Sequence, residues 1–181
     1  MTLEHKYSQI GTDLTLSDGT LIEGYASLFG IADQGGDLVQ KGAYAASLAR
    51  LKSRSGSVKM LWQHDPAQPI GVWDEVREDE RGLWVKGRIL TDVARGREAA
   101  ALVGAGAIDG LSIGYRTVKS AKTDKGQRLL SELELWEVSL VTFPMLPDAR
   151  VGAKGDTPEA LVMREMAEAF VAARRILTPG I

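Results

Sequence analysis

The feature that most limits what this chain can fold into is the run from Arg128 to Phe143, RLLSELELWEVSLVTF, closed by Pro144. Its alternation predicts one long β-strand, ended where proline removes a ladder donor. Leu133, Leu135, Glu137, Ser139, Val141 and Phe143 then share one face. A carboxylate thus sits inside a largely apolar row, and burying it is costly unless a partner receives it. An ion pair from Glu137 to Arg116 or Arg128 is one reading.

The rest of the sequence is punctuated in the same style. Asp13–Leu16 and Thr20–Phe29 flank Ser17-Asp18-Gly19 and predict a hairpin. Residues 30–37, rich in Gly and Asp, predict a surface loop whose Asp33 and Asp37 are solvated acids without the ligand spacing of a calcium loop. Helical spacing of Tyr44, Leu48 and Leu51 predicts a helix over 43–52. Ser57–Gln63 predicts a strand with Val58, Met60, Trp62 and His64 on one side, broken by Asp65-Pro66. Ile70–Arg77 and Leu83–Ile89 predict a second hairpin. A second helix is expected from a Thr91-Asp92 N-cap pair to the stop Gly104-Ala105-Gly106. Leu111–Ser120 predicts a strand with Ser112 at its start, and with Ser112, Gly114 and Arg116 on one face. Residues 148–156 read as a linker. Over 157–181, Met163, Met166, Phe170, Ala173 and Leu177 form an apolar helical stripe that either docks on the barrel or forms a homodimer interface.

With 181 residues, 44% of them hydrophobic, the chain supplies one ordinary core. A formal charge of -2 offers no broad cationic field, so nucleic acid is not an expected partner. The absence of cysteine excludes disulfides, thiolate nucleophiles and Cys-ligated zinc together. No stretch approaches a membrane span or a signal peptide, so a soluble, intracellular protein without membrane contact is expected.

Only two histidines are present, His5 and His64. His5 lies in a polar N-terminal segment expected to be mobile, which leaves His64 as the candidate base. A serine hydroxyl is a weak nucleophile that needs a base, and the base needs a third group to hold its ring and tautomer. Ser112, His64 and Glu137 could fill these roles from three separate strands. Ser139 is a rival nucleophile or a supporting polar group beside the acid. Asp65 reads as a turn former, and Gly114 as a position that permits close packing. Gly110–Gly114 lacks the Gly-x-Ser-x-Gly elbow of common esterases.

Trp62-Gln63-His64-Asp65, followed by Pro69-Ile70-Gly71, resembles the histidine motif of the caudovirus prohead serine proteases, a family sharing the herpesvirus assemblin fold. Gly110-Leu111-Ser112-Ile113-Gly114-Tyr115 resembles its nucleophile motif, and Glu137 to Pro144 the strand of its third member. Gly24-Tyr25-Ala26 and Gly42-Ala43-Tyr44 are similar too, so the likeness spans about residues 24–147. It implies a mainly β fold with flanking helices, a closed or partly open barrel of the assemblin type over residues 1–147. It implies a cofactor-independent serine endopeptidase in the host cytoplasm, inside the immature capsid. Its substrates would be scaffold, major capsid protein and itself. Herpesvirus relatives place a second histidine where this chain has Glu137, and a carboxylate can orient His64 equally well. Their arginine near the oxyanion has no matched residue here, so the oxyanion donors stay unassigned.

Overall fold

Alternating apolar residues separated by Gly- and Asp-containing turns make hairpins, and these hairpins supply most of the architecture. The computed structural model describes residues 19–33 and 35–142 in full, and the backbone of 4–7, 14–17 and 151–152. In chain order the elements are β1 (Glu4–Tyr7), β2 (Leu14–Ser17), β3 (Leu21–Leu28), β4 (Asp37–Val39) and α1 (Ala45–Ser53). Then come β5 (Lys59–Trp62), β6 (Asp65–Glu78), β7 (Gly82–Ile89), α2 (Ala94–Gly104), β8 (Gly110–Lys122), β9 (Arg128–Val141) and β10 (Val151–Gly152).

All the described strands belong to one sheet, ordered β1-β8-β9-β5-β6-β7-β3-β2-β10, with β4 added beside β9. Far apart in that order, β3 and β8 nevertheless pack together, so the sheet curls on itself as a half-barrel. Of the closed and partly open alternatives, the described strands form the partly open one. The core includes Ile22, Met60, Ile70, Leu83, Ile113 and Leu133, all at most 1% exposed, with Ala99 and Val103 of α2 packed into it.

The long strand is β9, and its neighbours explain its composition. It pairs antiparallel with β8 and parallel with both β4 and β5. Its last residues, Glu137 to Val141, are all buried. A bulge at Trp136 shifts the alternation, so Val138 and Leu140 continue the face of Leu133 and Leu135, while Glu137 and Ser139 fall on the opposite face and not in that apolar row as expected. Trp73 adds to this packing by donating its indole N–H to the Val138 carbonyl at 3.2 Å.

Several expectations are corrected. The described residues of the loop over 30–36 form no strand beyond an isolated bridge at Ala32, but Asp37 opens β4 and is a buried acid held by Arg128 Nη2 at 2.6 Å and Nε at 2.9 Å. Asp65-Pro66 does not break the chain's extension: β6 begins there and absorbs the prolines through register shifts. Val93, not Thr91 or Asp92, is the N-cap of α2, and it makes no side-chain cap bond. Leu90 to Val93 instead form a turn, closed by the Val93 N–H on the Leu90 carbonyl at 3.1 Å. His5 is in β1, opposite Gly114 in register, and not in a loose segment. Within the expected linker, Val151 and Gly152 pair parallel with β2. The apolar stripe over 157–181 and Phe143 lie outside the described residues. Among the described residues no helix is long and apolar enough to cross a membrane.

Candidate active site

The site begins with a two-residue turn. Trp62 pairs with Asp65 across β5 and β6, leaving Gln63 and His64 as the loop, and both have positive φ, 53° and 62°. That is the handedness of a type I′ hairpin turn, which matches the twist of the flanking strands. Left-handed backbone costs residues with a Cβ about 1 kcal/mol or more each, and it persists where surroundings over-determine it. Here the end of β9 does so. The Gln63 N–H donates to the Leu140 carbonyl at 2.9 Å. The Gln63 side-chain amide donates to Thr142 Oγ1 at 2.6 Å and accepts from the Thr142 N–H at 3.3 Å. The His64 N–H donates to Ser139 Oγ at 3.1 Å.

His64 is therefore not the next residue on a strand face shared with Val58, Met60 and Trp62. The turn swings it away from that row and over β9. Asp65 does act as a turn former: its Oδ1 accepts the Ala67 N–H at 2.8 Å and its Oδ2 the Gln68 amide at 2.7 Å.

Glu137 is the acid that meets the ring. His64 Nδ1–H donates to Glu137 Oε1 at 2.6 Å, with the two side chains 9% and 5% exposed. The alternative ion pairs are otherwise engaged, because Arg116 holds Glu134 at 2.6 Å and Arg128 holds Asp37. The second oxygen, Oε2, accepts the hydroxyl of Ser139 at 2.5 Å. With Nδ1 carrying the proton toward the carboxylate, the neutral ring presents a basic Nε2.

Room for this carboxylate comes from a missing side chain. Gly114 is opposite Glu137 on β8, and a Cβ built there would lie 2.0 Å from Glu137 Oε1 and 2.8 Å from its carboxyl carbon. The close packing expected at Gly114 is thus packing against the acid. Beside it the β8–β9 ladder shifts by one residue, leaving Trp136 as the extra residue of a bulge. Bulges of this kind re-aim a neighbouring side chain.

Ser112 is opposite Ser139 in the same ladder. Directly opposed residues of antiparallel strands share a face, with Cα atoms about 4.5–5.5 Å apart. Ser112 therefore stands on the face of Ser139 and Glu137, two residues before the glycine that accommodates the acid. It is 0% exposed, and His64 Nε2 is also buried.

The three residues singled out by sequence thus fall around one end of β9. Reading the sequence alone missed the left-handed turn, while the supporting place expected of Ser139 beside the acid is met by its bond to Glu137 Oε2. Two-residue loops of this kind favour Asn-Gly or Asp-Gly, so Gln63-His64 gave no turn signal. Among the described residues no cluster of three or more His, Asp or Glu could hold a metal ion.

Comparison with known proteins matches the chain to a family. Residues 8–163 match the family model described as caudovirus prohead serine protease. The chain is 32% identical over 136 residues to the prohead protease of Enterobacteria phage HK97, covering 74% of this chain and 59% of that protein. It thus spans less than two thirds of the length of that relative. The solved structure of the bacteriophage T4 capsid assembly protease superposes with a TM-score of 0.61 at 17% identity, covering 77% of this chain and 97% of that one. That likeness concerns the fold, while the match over residues 8–163 carries the assignment: the chain belongs to the caudovirus prohead serine protease family.

Proposed function

We propose that this chain is a serine endopeptidase of prohead maturation, with Ser112 as nucleophile, His64 as base and Glu137 as the group that orients the base. The observation that carries the reading is the 2.6 Å bond from His64 Nδ1 to a buried carboxylate of β9, the strand whose Ser139 pairs directly with Ser112. In the first half-reaction His64 Nε2 takes the Ser112 Oγ proton as Oγ attacks the scissile carbonyl carbon. Collapse of the tetrahedral intermediate breaks the C–N bond, and the imidazolium returns its proton to the leaving amine. Water then repeats the sequence on the acyl-enzyme, restoring Ser112. Glu137 stays ionised, holding the tautomer and stabilising the imidazolium.

Substrates fitting the family are extensions of the major capsid protein and scaffold, and this chain itself, cut within the immature capsid. The chain divides into a protease unit over 1–147, a connecting segment over 148–156 whose Val151 and Gly152 pair with β2, and a helix over 157–181 that either docks on the barrel or supports a homodimer. The half-barrel is read as the herpesvirus assemblin type.

Full burial of Ser112 favours a second reading, a catalytically idle assembly component, since a peptide carbonyl reaches Oγ only after its cover moves. Co-expression with the cognate major capsid protein separates the two. The protease reading expects the parent chain to shorten the capsid protein and Ser112→Ala to leave it whole. Uncut capsid protein with the parent supports the idle component, and cleavage by Ser112→Ala removes Ser112 from the mechanism.

A further inference from the structure

Ser139 has one hydroxyl, and that hydroxyl touches both ends of the His64–Glu137 pair. Its proton goes to Glu137 Oε2 at 2.5 Å, while its oxygen accepts the His64 N–H at 3.1 Å. The side chain is 0% exposed, so water does not compete for either bond. Together with the ring-to-carboxylate bond, these contacts close a loop: His64 backbone, Ser139 Oγ, Glu137 carboxylate, His64 imidazole.

We propose that Ser139 is a positioning residue of the proteolytic site, which sets the Glu137 carboxylate and the His64 turn relative to each other. The proposal rests on the Ser112–His64–Glu137 reading. A terminal carboxylate torsion is broad and roughly two-fold, so a single bond from Nδ1 does not fix the Glu137 plane. The second bond, at the other oxygen, does. The left-handed backbone at His64, φ 62°, is likewise held through its own N–H by the same hydroxyl. Loss of that oxygen leaves the His64 N–H without this acceptor and lets ring and acid drift. A misplacement near 1 Å in a reacting constellation costs about 10²-fold in rate. The direction of the Ser139 proton also argues against this serine as nucleophile. It points at a carboxylate, and its place beside the acid is where a brace belongs.

The test uses the full chain acting on its cognate capsid protein, in Ser139→Ala and Ser139→Thr forms, with melting curves to establish that each is folded. Ser139→Ala is expected to lower kcat about 10²-fold while KM changes by less than about threefold, and Ser139→Thr to recover most of that loss. The second readout needs no turnover. In the Ser112→Ala background, the His64 Nδ1 proton should give a slowly exchanging NMR signal, which Ser139→Ala weakens and Ser139→Thr retains. Parent-like kcat and an unchanged Nδ1 signal in Ser139→Ala would overturn the proposal. So would a folded Ser139→Thr lacking both activity and the signal. If Ser139→Ala does not fold, the Thr form alone decides on these same criteria. Cleavage surviving in Ser112→Ala is a separate failure, of the Ser112 assignment itself.

Discussion

The two halves of β9 both carry carboxylates, and they use them differently. Toward the start of the strand Glu132 and Glu134 face Lys119 and Arg116 at 2.7 and 2.6 Å, on a surface where the side chains remain partly exposed. Arg128 holds the buried Asp37 and thereby fastens β4 to β9 at the position where the two backbones pair. Toward the end of the strand Glu137 is 4% exposed, and it meets a histidine and a hydroxyl. An acid facing a permanent cation is settled, and its pair fastens one strand to another. An acid facing an imidazole has a partner whose charge can come and go, and proton transfer needs that.

The largest contrast is expected from substitutions that keep shape and remove charge. Glu137→Gln, nearly isosteric, should lower cleavage by up to about 10⁴-fold, because the amide can impose the wrong tautomer on His64. Steady-state cleavage of the capsid protein, with circular dichroism to verify the fold, measures it. A loss under tenfold would move Glu137 into the same structural class as Glu134.

Gly114→Ala comes next. The added carbon would meet Glu137 Oε1 at 2.0 Å, so either the acid or the β8 backbone must shift. Overpacking of this kind costs about 1–3 kcal/mol, and the displaced acid should reduce cleavage about 10²-fold. Melting temperature and rate should fall together; a fall in stability with full activity would mean that the acid's placement is not critical.

Glu134→Gln should have the smallest effect, confined to stability in acid. The hydrogen bond from the Arg116 guanidinium, more than any other favourable contact, holds the Glu134 carboxyl below its ordinary value of 4.5. A carboxylate depressed on folding adds stability that is present above the unfolded pKa and is lost as pH falls through the folded one. Glu134→Gln should therefore flatten the decline of melting temperature below about pH 4.5 and leave neutral-pH cleavage intact. A cleavage defect would blur the distinction between the two halves.

Much of this was legible in the sequence because it depended on local pattern. The β9 alternation, the Asp-Gly turn after β2 and the helical spacing of Tyr44, Leu48 and Leu51 each declared an element. Glu137 was conspicuous as a charge in a row read as apolar, although the bulge at Trp136 takes it off the face of Leu133 and Leu135. What the sequence left hidden was set by partners distant along the chain. β4 exists because β9 offers it an edge and Arg128 holds Asp37, and neither fact is visible in a Gly-rich segment. The path of His64 depends on Leu140, Ser139 and Thr142, which hold Gln63 and His64 in a backbone conformation their side chains do not advertise. The same strand that announced the acid also offered Ser139 beside it, but only the structure shows that hydroxyl bonded to both the carboxylate and the His64 N–H.

Labelling with a fluorophosphonate, followed by peptide mapping, tests the central claim most directly, because phosphonylation marks the serine whose proton a base removes. The adduct should lie on Ser112 in the parent and be lost in His64→Ala. An adduct on Ser139, or equal labelling of Ser112 after loss of the imidazole, would contradict the account.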